Sequence, residues 1–282
     1  MSRLPILFVI LTVGACVPRE RQDAPGDSVG AAPSGRQISA KKHQLPAQQK
    51  RPKKTQLPAK PSAQPANQVP TPVTRRQPKE TAPDPLLSAP FHDDFERRAL
   101  GSNWRTTSGG PWRIKNGRLC GRGAKNHPVW LTRRLPANAR VEFDAVALTD
   151  QGDIKAELWG DGRSAATGVS YTDATSYLTI FGGWKNSYHV LARIDEHAKT
   201  RKEIRLDQAG ELVSQRPVEK DYTYRFKVER ADRKTVAWLV DDIEVLRYED
   251  SAPLLGAGHE HFGFNNWQVE VCFDNLVITP LL

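Results

Sequence analysis

The residues able to do chemistry gather on a few short alternating segments. In Val141–Ala147 the residues Glu142 and Asp144 alternate with Val141, Phe143 and Ala145. In 153–159 Asp153, Lys155, Glu157 and Trp159 alternate with Ile154, Ala156 and Leu158. In 189–197 His189, Arg193, Asp195 and His197 alternate with Val190, Ala192 and Ile194. A β-strand points successive side chains to opposite faces, so each apolar set is expected inward and each polar set outward. Three such strands side by side would build a polar groove. Carboxylates and Arg would meet sugar hydroxyls there, and an indole would cover the apolar face of a pyranose. The competing reading is a solvated sheet face tied by cross-strand ion pairs. Two further clusters, around Trp184 and around His261, Asn266 and Trp267, would supply a rim. His259 and His261 could ligate a metal, but no third ligand is identifiable.

These segments lie in one part of the chain. All seven Trp and all six Tyr fall beyond residue 100, and residues 17–89 contain no aromatic residue. A stretch so poor in large apolar side chains cannot bury enough surface to offset its ordering entropy. The expected organisation is therefore a leader (1–15), a disordered Pro-, Lys- and Gln-rich tether (16–89) and one domain (90–282). The net charge of +9 divides the same way. Residues 1–89 hold 14 Lys and Arg against 5 Asp and Glu, whereas residues 90–282 hold 27 against 27. A neutral domain gives no electrostatic reason to bind nucleic acid.

From residue 91 short apolar runs alternate with Gly, Asn and Asp turns. Thr235–Val240, then Asp241-Asp242, then Ile243–Leu246 reads as a hairpin. Many short strands without an amphipathic helix predict an all-β, two-sheet antiparallel sandwich and a monomer.

The leader, Met1–Thr12, carries one positive charge and a short apolar run, then Val13-Gly14-Ala15-Cys16. This ending resembles the bacterial lipobox. The resemblance implies an exported lipoprotein, anchored to a membrane by lipid on Cys16. Val17, rather than Asp, at the next position implies the outer membrane by the enterobacterial sorting rule.

In the domain, four stretches occur in a telling order. They are Asp93-Asp94-Phe95, Trp112 to Leu119, Val236 to Asp242, and Phe273-Asp274-Asn275-Leu276-Val277-Ile278. The order resembles the concanavalin-A-like lectin/glucanase superfamily, in its laminin-G-like and keto-disaccharide-hydrolase-like branches. The resemblance implies a jelly-roll sandwich with its first and last strands adjacent and a glycan or polysaccharide as partner. It places Cys120 and Cys272 close together, as a disulfide or as two buried thiols. It implies a structural calcium ion near Asp93, Asp94 and Asp274, where turn capping is the alternative. The laminarinase pattern Glu-x-Asp-x-x-Glu is broken at Ala147, which favours binding over hydrolysis. A hydrolase or lyase using Glu142, Asp144, Glu157, Asp195 or His197 remains the second expectation.

Overall fold

A computed structural model describes residues 82–282 apart from 108–109, 208–209 and 211. The leader, Cys16 and residues 16–81 of the expected tether lie outside them. The described chain forms the expected antiparallel sandwich of two sheets. Its strands are β1 (Phe91–Asp93), β2 (Trp104–Thr106), β3 (Arg113–Lys115), β4 (Arg118–Arg122) and β5 (Val129–Arg134). Next come β6 (Ala139–Ala147), β7 (Ile154–Gly160), β8 (Tyr177–Gly182), β9 (Tyr188–Arg193) and β10 (Lys202–Arg205). The last are β11 (Thr223–Arg230), β12 (Thr235–Val240), β13 (Ile243–Glu249), β14 (His261–Asn265) and β15 (Glu270–Pro280).

One sheet runs β13-β12-β11-β6-β15-β4-β3, with β1 also paired to β15; the other runs β10-β9-β8-β7-β14-β5-β2. The first and last strands are thus neighbours. The β12–β13 hairpin turns at Asp241 and Asp242, both left-handed (φ 50° and 63°), as a two-residue type I′ turn requires. The core lies between the inner faces. Phe143 stacks on Phe226 at 4.9 Å between ring centroids, and Phe264 on Phe273 at 4.0 Å. Cys120 and Cys272 sit directly opposite each other on β4 and β15 and form a disulfide on the outer face of that sheet.

The second sheet departs from the simple two-layer picture. Residues 161–176, between β7 and β8, fold back over its outer face. Tyr171 and Ala174 pack there on Leu178, Ile180, Val190 and Ala192 in a second apolar cluster. Segment 194–197 joins this cover: the Glu196 amide donates to the Tyr171 carbonyl at 3.0 Å, and the Ile194 amide to the Ser176 carbonyl at 2.9 Å. The strands of this sheet are therefore buried on both faces over part of their length.

Candidate functional site

The cover leaves one end of the outer face open. That end collects the start of β7 and the ends of β8 and β14, because antiparallel pairing brings these termini to one side. A cleft of about 470 Å³ lies there. Lys155 and Ile180 form its floor, Trp184 and Trp267 flank it, and Glu196 and His197 descend from the cover.

The floor is an ionic cluster. Lys155 Nζ donates to Glu196 Oε2 at 2.9 Å and to Asn126 Oδ1 at 2.8 Å, and lies 3.8 Å from Asp153 Oδ1. Burial pulls the Lys155 ammonium down, but the Asp153 and Glu196 carboxylates outweigh it and hold the group above its ordinary value. Burial also pushes the Asp153 carboxyl up, against the attraction of Lys155 and the hydrogen bond from the Trp267 amide at 2.7 Å. The second oxygen of Glu196 accepts the Tyr171 amide at 3.2 Å. A buried charge without a partner would cost several kcal/mol; here each ion has one.

Trp184 is presented by an uncommon backbone. Trp184, Lys185 and Asn186 are consecutively left-handed, with φ of 52°, 57° and 61°. This conformation crowds Cβ against the following carbonyl and costs about 1–2 kcal/mol per residue. The turn is held by Asn186. Its Nδ2 donates to the carbonyls of Asp150 and Val218 at 3.0 and 2.8 Å, and its Oδ1 accepts the Val218 amide at 2.8 Å. Two glycines make room for that bracket. Gly182 is left-handed (φ +73°), and a Cβ there would come within 2.6 Å of Asn186 Oδ1. Gly152 (φ +65°) would put a Cβ 2.5 Å from the Gly182 carbonyl. Gly152 adjoins Asp153 and Gly182 lies two residues before Trp184, so one knot sets an acid and an aromatic of the cleft. Trp184 stays about a third exposed (36%), with Arg201 over its ring at 4.8 Å and the His197 ring 5.6 Å away.

Of the residues singled out by sequence, Asp153, Lys155, Trp184, His197 and Trp267 meet in this cleft. The others lie elsewhere. Glu142 and Asp144 belong to β6 in the opposite sheet, on its outer face. Asp144 there accepts from Arg225 at 3.1 Å and from Asn275 at 2.8 Å, while Glu142 lies 4.0 Å from Arg225. These are the cross-strand ion pairs of a solvated face. Glu157 does point outward, but it is sealed under the cover. It accepts from the Ser176 hydroxyl at 2.6 Å, the Tyr171 hydroxyl at 2.9 Å and Asn265 Nδ2 at 2.8 Å, and burial pushes its carboxyl up to about 7.

Trp159 is in the core. Its left-handed backbone (φ 54°) breaks the alternation of β7, and its indole packs edge-on to Tyr177 beneath the Arg230 guanidinium, 3.8 Å from the ring centroid. The phase of β9 is the reverse of that expected: Val190 and Ala192 face the cover, while His189 stacks on Phe181 in the core at 4.0 Å. Burial lowers the His189 imidazole to about 3 and keeps it neutral. Arg193, on the same side as His189, is paired with Asp250 at 2.9 Å. Asp195 accepts the His197 amide at 2.7 Å and caps a turn. His261 sits at the far end of β14, bonded to Asp84 at 3.1 Å, and Asn266 is a buried bracket to Ala124, Gly121 and Val269.

The acids expected around calcium do not form a cation site. Asp93 accepts from both terminal guanidinium nitrogens of Arg97 and from the Trp104 indole N–H at 2.8 Å. Asp94 caps the Glu96 amide, and Asp274 caps Asn275 and lies 3.6 Å from Arg118. A guanidinium already fills the position a dication would take at Asp93. Among the described residues no three His, Cys, Asp or Glu side chains converge as metal ligands.

The sequence reading missed Glu196 as a cleft residue. The left-handed Ile194 (φ 67°) swings the chain off β9 and onto the cover, so strand alternation gave Glu196 the wrong face. The polar run Asp195-Glu196-His197 leaving an apolar strand was the available signal.

No family model matches the chain, and no curated protein matches it. Solved structures do. A carbohydrate-binding module, CBM66, from Bacillus subtilis is 16% identical, with a TM-score of 0.46, covering 64% of this chain and 98% of that one. A prokaryotic β-1,3-1,4-glucanase (lichenase) from a mouse hindgut metagenome is 13% identical, with a TM-score of 0.46, covering 69% and 100%. The Emp47p carbohydrate recognition domain is 13% identical, with a TM-score of 0.43, covering 69% and 96%.

Proposed function

We propose that the domain binds carbohydrate in the cleft between Trp184 and Trp267, and that the chain is held on a bacterial membrane by lipid at Cys16. The observation that carries the first part is one hollow holding two indoles on either side of a buried Lys155–Glu196–Asp153 cluster. Indoles cover the C–H faces of a sugar ring, and fixed charged donors and acceptors meet its hydroxyls. Ligand binding then needs no reorganisation of the floor, whose charges already hold one another.

The test is a glycan array probed with the full chain, repeated with Trp184→Ala and Trp267→Ala. Either substitution is expected to weaken binding at least about tenfold, roughly 1.4 kcal/mol. An array without hits, or hits that both variants retain, refutes the reading. For the anchor, incorporation of labelled palmitate into the full chain in a bacterial host is expected, with loss in Cys16→Ser.

A second reading is a carbohydrate-active enzyme. One observation favours it: Asp153, whose carboxyl burial pushes up, shares the cleft floor with Glu196. A raised acid beside a second carboxylate is the arrangement glycoside hydrolysis uses. Lys155 stands against both, however, and pairs with each. Release of sugar ends from a bound polymer, lost in Asp153→Asn, would support this reading over simple binding.

A further inference from the structure

We infer that the cleft receives the terminal residue of a glycan chain and not an internal stretch; the inference rests on the carbohydrate reading of the same cleft. The geometry that carries it is a groove closed by the protein's own chain. Along β7, outward-facing positions run from Lys155 to Glu157. The first is at the cleft, whereas the second is fully buried under Tyr171. A polysaccharide laid along the strand would therefore meet a wall at Ser170 and Glu196, both of which line the cleft. That wall is fastened: the Tyr171 amide and hydroxyl are bonded to Glu196 and Glu157, and the Ala166 amide to the Asn126 carbonyl at 3.0 Å.

Across the strands the passage is equally short. Trp184 lies just beyond β8 and Trp267 just beyond β14, and these two strands lie on either side of β7. Neighbouring strands are about 4.8 Å apart, so the indoles spring from positions about 10 Å from each other. A ring seated over Lys155 therefore has an indole on each side. Lys155 lies below, and Gln151 lines the cleft at the end away from the wall. A chain whose end rests against the wall continues away from it, past Gln151.

The tip of the wall supplies a further contact. Val169 is 79% exposed at the cleft edge, and the Thr167 amide is bonded to Asp173 at 3.1 Å, which steadies the tip. An apolar side chain so placed meets the bound ring or its first neighbour on the way out.

The experiment uses the full chain and linear gluco-, xylo- and fructo-oligosaccharides of graded length, their parent polymers, and cyclodextrins as glucans without ends. Calorimetry and sedimentation give the affinity and the number of protein molecules bound per sugar chain. The expected result is one protein per chain at every length, an affinity that stops rising after about two residues, and no binding to the cyclic sugars. A number bound that grows with chain length, or cyclic sugars bound as tightly as linear ones, overturns the inference while leaving carbohydrate binding intact. Failure of every sugar to bind, or binding unchanged in the Trp184→Ala/Trp267→Ala double variant, overturns the carbohydrate reading itself and the inference with it.

Discussion

Glu157→Gln is the substitution whose effect is tied most directly to the structure. The carboxyl is fully buried, accepts from Tyr171, Ser176 and Asn265, and is held at about 7 against an ordinary 4.5. A raised folded-state value means that the fold is at full strength below 4.5 and weakens as pH rises through 7. Ionising the group in place costs about 3 kcal/mol, taking 1.36 kcal/mol per pH unit. His189 works in the opposite sense. Its imidazole is held at about 3 against 6.5, so its contribution is complete above 6.5 and is lost as pH falls toward 3. That amounts to about 5 kcal/mol. The two slopes oppose each other between 4.5 and 6.5, and the wild-type profile there is expected to be flat. Comparison with the variant removes the histidine. A glutamine amide keeps the bond from Asn265 and cannot ionise. Urea unfolding should therefore give equal midpoints near pH 4 and a variant midpoint higher by about 1 M or more at pH 8. Parallel profiles for the two proteins across this range would refute the reasoning, because they would mean that Glu157 ionises in the fold as readily as in the unfolded chain.

Four further outcomes rest on the same packing. Lys155→Met leaves Asp153 and Glu196 without their cation and should cost about 3–5 kcal/mol in urea unfolding at pH 8. The loss should shrink at pH 4, because burial pushes the Asp153 carboxyl up and favours its neutral form there. Asn186→Ala removes three hydrogen bonds from the left-handed turn, worth about 1 kcal/mol each, and should weaken sugar binding as well as lower the melting temperature. Lys185→Gly at the same turn should raise the melting temperature, since glycine adopts φ 57° freely. Reduction of Cys120–Cys272, which spans 152 residues, should cost about 4–5 kcal/mol in the chain-entropy account, read as a lower unfolding midpoint in dithiothreitol.

The legible part of the sequence was whatever depends on unbroken alternation. Val141, Phe143 and Ala145 on β6 and Ile154, Ala156 and Leu158 on β7 point inward as read, and the Asp241-Asp242 hairpin turns where its residue types say. Alternation fails in two physical circumstances here. One left-handed residue inside a strand reverses the face of the residues beyond it, as at Trp159. A strand covered on both faces carries two apolar sets, and the β-branched one need not be inside. On β9 the sets are Val190 with Ala192 and His189 with Leu191; hydrophobicity chose the first pair as core, whereas the sandwich takes the second. Nothing in Asp161–Ser176, a polar, Gly- and Ser-bearing stretch, marks it as a cover except Tyr171, the one large side chain that plugs the sheet.

The same two failures locate the site. Left-handed residues other than glycine are costly, and several of those in this domain sit in tight turns that require them, such as Asn116, Asp241 and Asp242. Others border the cleft: Asn126 under Lys155, Asp153 on the floor, Trp184 to Asn186 at the flank, and Ile194 at the bend that brings Glu196 down. Trp184–Asn186 form the loop of the β8–β9 hairpin and Asn126 lies in the turn closed by the His127 amide on the Ala124 carbonyl, whereas Asp153 and Ile194 lie outside any such turn. Each re-aims a polar or aromatic side chain into one hollow, and each is held by specific bonds from neighbouring loops. Strain that persists because its surroundings over-determine it is the pattern of a built binding surface. A hairpin loop shaped only by chain connection would carry glycine or asparagine at 184 and 185, where the backbone is left-handed.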